Sequence, residues 1–322
     1  MMAAICGRWW GSRMSLRISL LGRGAWGSTL EQLWMRQGHR LRSWSRRDGG
    51  DPVPLLADVD LVVVAVSMAG IAPLASQLRP HWPAGLPLLS CTKGIDLERL
   101  ETPTQLWQRQ LPNVPVLVLS GPNLAAELQR GLPAASVLAS SDLDLAGHLQ
   151  AALSGPTLRL YTNDDPLGTE VAGALKNVMA VAAGMCDGLA LGSNAKASLL
   201  CRGLAEMGVA LAGMGGRSSS LYGLAGLGDL LATANSPLSR NYSFGRLLAE
   251  GLNGQVAETR IGATVEGPRT ARAALGLAER HGWSLPICTQ VVQVLDGRTT
   301  PQQAAGALMQ RNLKSEFAEV GR

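Results

Sequence analysis

Lysine is scarce in this chain, which makes each one informative. Only four occur, Lys93, Lys176, Lys196 and Lys314, against 25 arginines. Arginine stays protonated, whereas a lysine gives up and recovers a proton once burial or nearby charge lowers its pKa. Lys176 lies in GALKNV, in an apolar stretch of helical pattern with Asn177 beside it. A cation there is costly unless it faces a polar cleft, so Lys176 is the candidate acid/base. Lys93 follows a strand pattern in SCTKG. It should project from the carboxyl edge of a sheet, where doubly wound folds bind ligands. Lys196 and Lys314 are expected on helix surfaces.

Gly22, Gly24 and Gly27 stand in G-x-G-x-x-G spacing directly after a strand pattern and at the start of a helical one. In that context the first glycine permits a tight turn and the second lets backbone approach a pyrophosphate. The third allows close packing of helix on strand. The helix N-terminus adds free N–H groups and a dipole that favours phosphate. At the end of the second strand the chain reads Trp44-Ser45-Arg46-Arg47, with Asp48 one step later. Two guanidiniums suit a 2′-phosphate. NADPH is therefore the expected cofactor, with NADH as the alternative; the competing role for Arg46 and Arg47 is a solvated loop.

Two further clusters lie in the second half. In GLAGLGDLL a Gly-rich turn is expected to fix Asp229 among apolar neighbours. In SPLSRNYSFG, Ser239, Arg240 and Asn241 offer a hydroxyl, a fork of N–H donors and an amide, a set that suits a phosphate monoester. Helix capping is the competing role for Ser239. His39, His81, His148 and His281 are expected in turns or on polar helix surfaces, and none forms a metal-ligand set. No G-x-S-x-G elbow or clustered Cys/His pattern points to a hydrolase.

The elements that must carry these residues follow from periodicity. Strand patterns fall at Leu16–Leu21, Arg40–Trp44, Leu61–Val66, Pro87–Cys91, Val116–Ser120, Ser136–Ala139 and Thr157–Tyr161, alternating with helical stretches such as Ala25–Arg36. The run LVVVAV reads as a central strand buried on both faces. After Asp164-Asp165-Pro166 the pattern becomes helical, over about 167–190, 194–213, 242–252, 266–281, 287–295 and 301–311. The expected fold is α/β, an N-terminal Rossmann-type doubly wound parallel sheet with a C-terminal all-α domain. Residues 15–164 form the dinucleotide-binding domain and 165–322 the helical substrate domain. Residues 1–14 read as a disordered tail or a mis-assigned start.

Composition agrees with that division. A chain of 322 residues that is 46% hydrophobic and 16% charged suits two well-buried domains. The net charge of +5 comes from scattered arginines, with no basic stripe, so no nucleic-acid partner is expected. The most apolar stretch, Val171–Met185, is short and broken by Lys176 and Asn177, so no membrane insertion is expected. The first thirteen residues lack the apolar run of a signal peptide. The five cysteines lie far apart without a CxxC pair, which reads as reduced thiols in a cytoplasmic protein.

Taken together, these strings resemble the soluble, bacterial-type NAD(P)-dependent glycerol-3-phosphate dehydrogenases. GRGAWG at 22–27, TKG at 92–94, SGPN at 120–123, GALKN at 173–177, RGLAEM at 202–207, GLAGLGDL at 223–230, SRN at 239–241 and VEG at 265–267 occur in the family's order. The resemblance implies reversible reduction of dihydroxyacetone phosphate to sn-glycerol 3-phosphate, which supplies phospholipid synthesis. It implies Lys176 as proton donor and acceptor, and Lys93, Gly121, Asn123, Asp229, Ser239, Arg240 and Asn241 around the substrate. It also implies Ala25, Trp26, Arg46, Arg47, Lys93, Ala125, Arg240, Thr264 and Glu266 along the cofactor, no metal, and a homodimer in the cytoplasm. Asp229 would orient Lys176 or bind a substrate hydroxyl.

Three positions depart from the family. Arg23 replaces a small residue between the first two glycines, so its side chain must point away from the pyrophosphate or pair with it. Asn123 stands where a hydroxyl residue is common. Between Trp44 and Leu61 the chain is some twenty residues shorter, a change in a surface connection that a sheet tolerates. The competing readings are a related β-hydroxyacid or ketopantoate-type dehydrogenase, whose substrates carry a carboxylate, and a non-catalytic nucleotide-sensing module.

Overall fold

The computed structural model describes residues 15–313, 315 and 316. The expected tail at 1–14, with Cys6, and the surface placement of Lys314 lie outside the described residues. The chain divides into two compact units, one of residues 1–93 and 101–170, the other of 94–100 and 171–322.

The first unit is built on a seven-stranded sheet. Its strands are β1 (Arg17–Leu21), β2 (Arg40–Trp44), β3 (Leu61–Val64), β4 (Leu88–Ser90), β5 (Val116–Ser120), β6 (Ala134–Ala139) and β7 (Leu158–Asn163). Their spatial order is β2-β1-β3-β4-β5-β6-β7. Between the strands run helices α1 (Ala25–Arg36), α2 (Met68–Leu78), α3 (Pro103–Gln110), α4 (Ala125–Gln129) and α5 (Leu143–Leu153). Because side chains alternate across a strand, each central strand feeds two cores. Leu20, Val63, Leu89 and Leu117 join Leu30 and Trp34 on one face. Leu21, Val62, Val64 and Leu88 join Ile71, Leu78 and Trp107 on the other. That double burial explains the unbroken apolar run at 61–64.

The sheet is mostly rather than wholly parallel. β5 and β6 pair antiparallel, with Leu119 opposite Leu138, while β6 and β7 pair parallel. Only residues 121–133 join β5 to β6, and their one helix, α4, has five residues. The link thus carries no long crossover helix, and the chain reverses direction between β5 and β6. Strand β3 also ends earlier than its apolar run, at Val64, just before Ala65 lies close against Gly22.

The second unit is helical. It contains α6 (Pro166–Gly188), which begins in the first unit, then α7 (Gly192–Gly213), α8 (Ser218–Leu221), α9 (Asp229–Ala234) and α10 (Arg240–Ala249). They are followed by α11 (Gly254–Ile261), α12 (Glu266–His281), α13 (Pro286–Leu295) and α14 (Pro301–Met309). Asp165 caps α6, its carboxylate accepting from Gly168 N at 2.9 Å. Residues 94–100 belong here because Ile95 and Leu100 pack with Ala174, Ala273 and Leu277. Local periodicity does not foretell that assignment, since the contacts lie far away in sequence. The segment expected as a Gly-rich turn before Asp229 is instead a π-helical turn, Leu224–Gly228, running directly into α9. A Cβ on Gly226 would lie 2.0 Å from Leu221 O, so only glycine lets that coil pack so tightly.

His39 lies at the turn after α1, as expected, and is buried there, with Nδ1 accepting from Leu16 N and Nε2 donating to Ala152 O, both at 3.0 Å. Burial holds its pKa below the usual histidine value. Lys196, expected on a helix surface, is 16% exposed and paired to Asp187 at 2.5 Å.

Candidate active site

The glycine turn of the first unit has the shape a dinucleotide needs. Gly22 has φ +109°, and a Cβ there would lie 2.5 Å from Ala65 O. A Cβ on Gly27 would lie 1.9 Å from Gly22 O, so α1 can start beside β1 only with glycine at that position. Gly24 meets nothing within 4 Å and leaves open space over the helix start. It caps α1 without a side-chain hydrogen bond, so the first N–H groups face that space. Ala25 opens α1 beside it, and Trp26 packs against the same core as Cys91. Burial pushes the Cys91 thiol up to about 12 and keeps it neutral. An open cradle with free donors fits the pyrophosphate of a dinucleotide. Arg46 and Arg47 follow β2 and are exposed.

Arg23 turns away from the cradle. Its Nε meets Glu31 Oε2 and its Nη1 meets Asp48 Oδ2, each at 3.4 Å.

Beyond the sheet's carboxyl edge, Lys93 Nζ donates to Gly121 O at 3.1 Å, joining two residues expected in the substrate site. Asn123 Oδ1 accepts from Ser136 Oγ at 2.6 Å, while its Nδ2 is buried without a hydrogen-bond partner. A buried amide donor without a partner is costly, and this N–H can donate to an oxygen brought beside it. Ala125 opens α4 just beyond.

In the helical unit Lys176 is 6% exposed on α6. Its Nζ donates to Asp229 Oδ1 at 3.0 Å and to Thr233 Oγ1 at 2.7 Å. Thr233 Oγ1 in turn donates to the same Asp229 oxygen at 2.9 Å. A buried ammonium is tolerated only with such a counter-ion and hydrogen bonds. The π-helical turn starts α9 so that Asp229 and Thr233, four residues apart, share one face. The triangle therefore contains one residue that the sequence reading passed over, Thr233. The D-x-x-x-T spacing was its only signal.

The SRN cluster separates into three tasks. Ser239 caps α10 by accepting from Tyr242 N at 3.2 Å, as its competing role required. Arg240 is exposed, and its Nη1 donates to Thr264 O at 2.8 Å. Asn241 is held between two groups: its Nδ2 donates to Asn177 Oδ1 at 2.8 Å and its Oδ1 accepts from Gly267 N at 2.9 Å. That clasp forms because α6 and α10 touch backbone to backbone. Cβ atoms on Gly184 and Gly245 would each lie 2.0 Å from a carbonyl of the facing helix, Tyr242 O and Val181 O. Glu266, the first residue of α12, is half-buried beside Gly267.

A family model for the N-terminus of NAD-dependent glycerol-3-phosphate dehydrogenase matches residues 49–146, and one for its C-terminus matches 165–306. A glycerol-3-phosphate dehydrogenase [NAD(P)+] of Synechococcus sp. (strain RCC307) is 54% identical over 303 residues, covering 94% of this chain and 100% of that protein. The chain belongs to the NAD(P)-dependent glycerol-3-phosphate dehydrogenase family. Another relative so named, from Trichormus variabilis, is 46% identical over 93% of this chain and 98% of its own. The crystal structure of glycerol-3-phosphate dehydrogenase from Coxiella burnetii superposes with a TM-score of 0.89 at 33% identity, covering 93% of this chain and all of that one. The chain is accordingly an NAD(P)-dependent oxidoreductase of this family, with the Rossmann-type sheet and helical domain described above. No helix among the described residues is long and apolar enough to cross a membrane. No group of three His, Cys, Asp or Glu among them could hold a metal ion.

Proposed function

We propose that this dehydrogenase reduces dihydroxyacetone phosphate to sn-glycerol 3-phosphate, reversibly, with Lys176 as proton donor. The observation that carries this reading is the buried Lys176 ammonium held by Asp229 and Thr233. Gly22, Gly24, Ala25, Trp26 and Gly27 hold the dinucleotide, which supplies a hydride when bound. Arg46 and Arg47 favour NADPH over NADH. As negative charge develops on the ketone oxygen, Lys176 Nζ stabilises it and then donates a proton to it. Asp229 fixes the direction of the ammonium and offsets its charge. Thr233 takes part in the same hydrogen-bond triangle.

Arg240 and Asn241 bind the substrate phosphate, and Lys93, Gly121, Asn123 and Ser239 complete the substrate's surroundings. The Asn177–Asn241–Gly267 clasp keeps the amide from turning, and holding the phosphate places the ketone carbon against the cofactor, an orientation effect worth roughly several kcal/mol. Ala125, Thr264 and Glu266 lie along the cofactor. The product serves phospholipid synthesis. The enzyme works as a homodimer in the cytoplasm, a reading supported by two features. Leu231, 48% exposed, stands on a groove lined by Leu200, Leu204 and Leu227, and Cys91, Cys186, Cys201 and Cys288 are free thiols.

The test is oxidation of NADPH followed at the reduced-nicotinamide band with dihydroxyacetone phosphate, dihydroxyacetone and ketopantoate in parallel. Turnover with the phosphorylated ketone alone supports the reading. Comparable turnover with ketopantoate overturns it in favour of the carboxylate-substrate dehydrogenases.

A further inference from the structure

Arg23 occupies a position where glycine turns usually carry a small residue, and its surroundings give it a task. From the turn after β1 the side chain reaches the loop after β2, where its Nη1 meets Asp48 Oδ2 at 3.4 Å. Its Nε meets Glu31 Oε2 on α1 at the same distance. Both anions have other partners. Ser43 Oγ donates to Glu31 Oε1 at 2.6 Å, and Ser45 Oγ donates to Asp48 Oδ2 at 3.0 Å. The two contacts of Arg23 sit at the long end of hydrogen-bond range, and its side chain is 45% exposed. Exposed pairs of this kind are weak, so the guanidinium can be recruited by a stronger anion.

Asp48 matters because of where it stands. A carboxylate just past the second strand accepts from the ribose hydroxyls of NADH and repels the 2′-phosphate of NADPH. In this chain Arg46 and Arg47 precede it, and Arg23 engages its Oδ2, the oxygen that also accepts from Ser45.

Building on the proposed cofactor site, we infer that Arg23 is a cofactor-selecting residue. It engages Asp48, the carboxylate that would disfavour a 2′-phosphate, and brings a third guanidinium to the corner formed by Arg46 and Arg47. A phosphate dianion binding there gives the Arg23 guanidinium a second, stronger anion while it still faces Asp48 and offsets that charge. NADH offers only a hydroxyl there and gains little from the guanidinium. Selection for the phosphorylated cofactor thus rests on the turn after β1 as well as on the loop after β2.

The test measures binding rather than turnover. NADPH, NADH and 2′,5′-ADP are titrated by calorimetry into wild type, R23S, D48N and R23S/D48N. Serine suits the turn, so R23S keeps the cradle. R23S is expected to weaken NADPH and 2′,5′-ADP about tenfold, the value of one charge-assisted hydrogen bond, and to leave NADH within about twofold. D48N in the R23S background is expected to recover part of the NADPH loss by removing the repelling charge. An unchanged NADPH-to-NADH affinity ratio in R23S overturns the inference, and so does equal weakening of both cofactors, which would mark Arg23 as a support of the turn. Wild-type protein that binds neither dinucleotide overturns the cofactor site itself, a result distinct from either of these.

Discussion

Thr233 donates to Asp229 across a single turn of α9, and the two together grip the Lys176 ammonium from α6. The lysine is thereby aimed by a helix whose start depends on a π-helical turn and its glycines. Hydrogen bonds shared in a closed triangle orient a group more narrowly than any single contact does.

Replacing Lys176 with alanine is expected to lower kcat by about a hundredfold to ten-thousandfold, the range for loss of a general acid. NADPH affinity, measured by titration, should stay within about threefold, because the cradle belongs to the other unit. Stability should fall as well, by roughly 3–5 kcal/mol, since Asp229 is left buried without its cation. Turnover near wild type would remove Lys176 from the mechanism.

Thr233 separates a positioning role from packing. T233V keeps the shape and removes the hydroxyl, and it should lower kcat about tenfold or more, the value of a hydrogen bond to a charged group. T233S should restore most of that loss while KM for the ketone changes little. If T233V and T233S behave alike in steady-state kinetics, the hydroxyl plays no part.

The glycine turn predicts opposite outcomes at neighbouring positions. Gly24 has φ −75° and nothing near its missing side chain, so G24V should keep its melting temperature while dinucleotide affinity falls at least tenfold. In G27V the new side chain collides with the backbone of Gly22, and the fold should lose about 3 kcal/mol or more. Differential scanning calorimetry beside titration distinguishes the two. Loss of stability in G24V with affinity intact would refute the cradle.

Glu170 gives the fold a pH dependence. It is buried, its Oε1 accepts from Thr104 N at 2.9 Å and Thr104 Oγ1 at 2.8 Å, and burial pushes its pKa up to about 7. An acid whose folded pKa is raised binds its proton more tightly in the folded chain. Stability from this group is therefore full below the unfolded value near 4.5 and is lost as pH rises toward about 7. Denaturant unfolding of wild type and E170Q from pH 4.5 to 8 should show wild type losing ground by a few kcal/mol, at about 1.4 kcal/mol per pKa unit. Parallel curves for the two proteins would contradict the assignment.

Much of this arrangement was legible in the chain itself. Alternation of short β-rich runs with helical patterns placed the sheet, and the glycine spacing after β1 placed the cradle, because both signals are local. Scarcity of lysine singled out Lys176 for the same reason: an ammonium in an apolar helix needs a partner. The antiparallel β5–β6 pair was hidden, since a strand's pattern does not state its direction. The π-helical turn was hidden too, because glycine-rich strings read as loops until packing against Leu221 is known. The burial of His39 at its turn was hidden because its amide and carbonyl partners, at Leu16 and Ala152, are remote in sequence.

Residue types and spacing alone determined the α/β class, the dinucleotide turn and the catalytic candidates, since each rests on chemistry within a few neighbouring residues. The tertiary structure decided who holds whom. Thr233 meets Lys176 across 57 positions of chain, and Arg23 bends to Asp48 across 25. Hydrogen bonds and ion pairs act over about 3–4 Å, and only folding brings such distant positions within that reach.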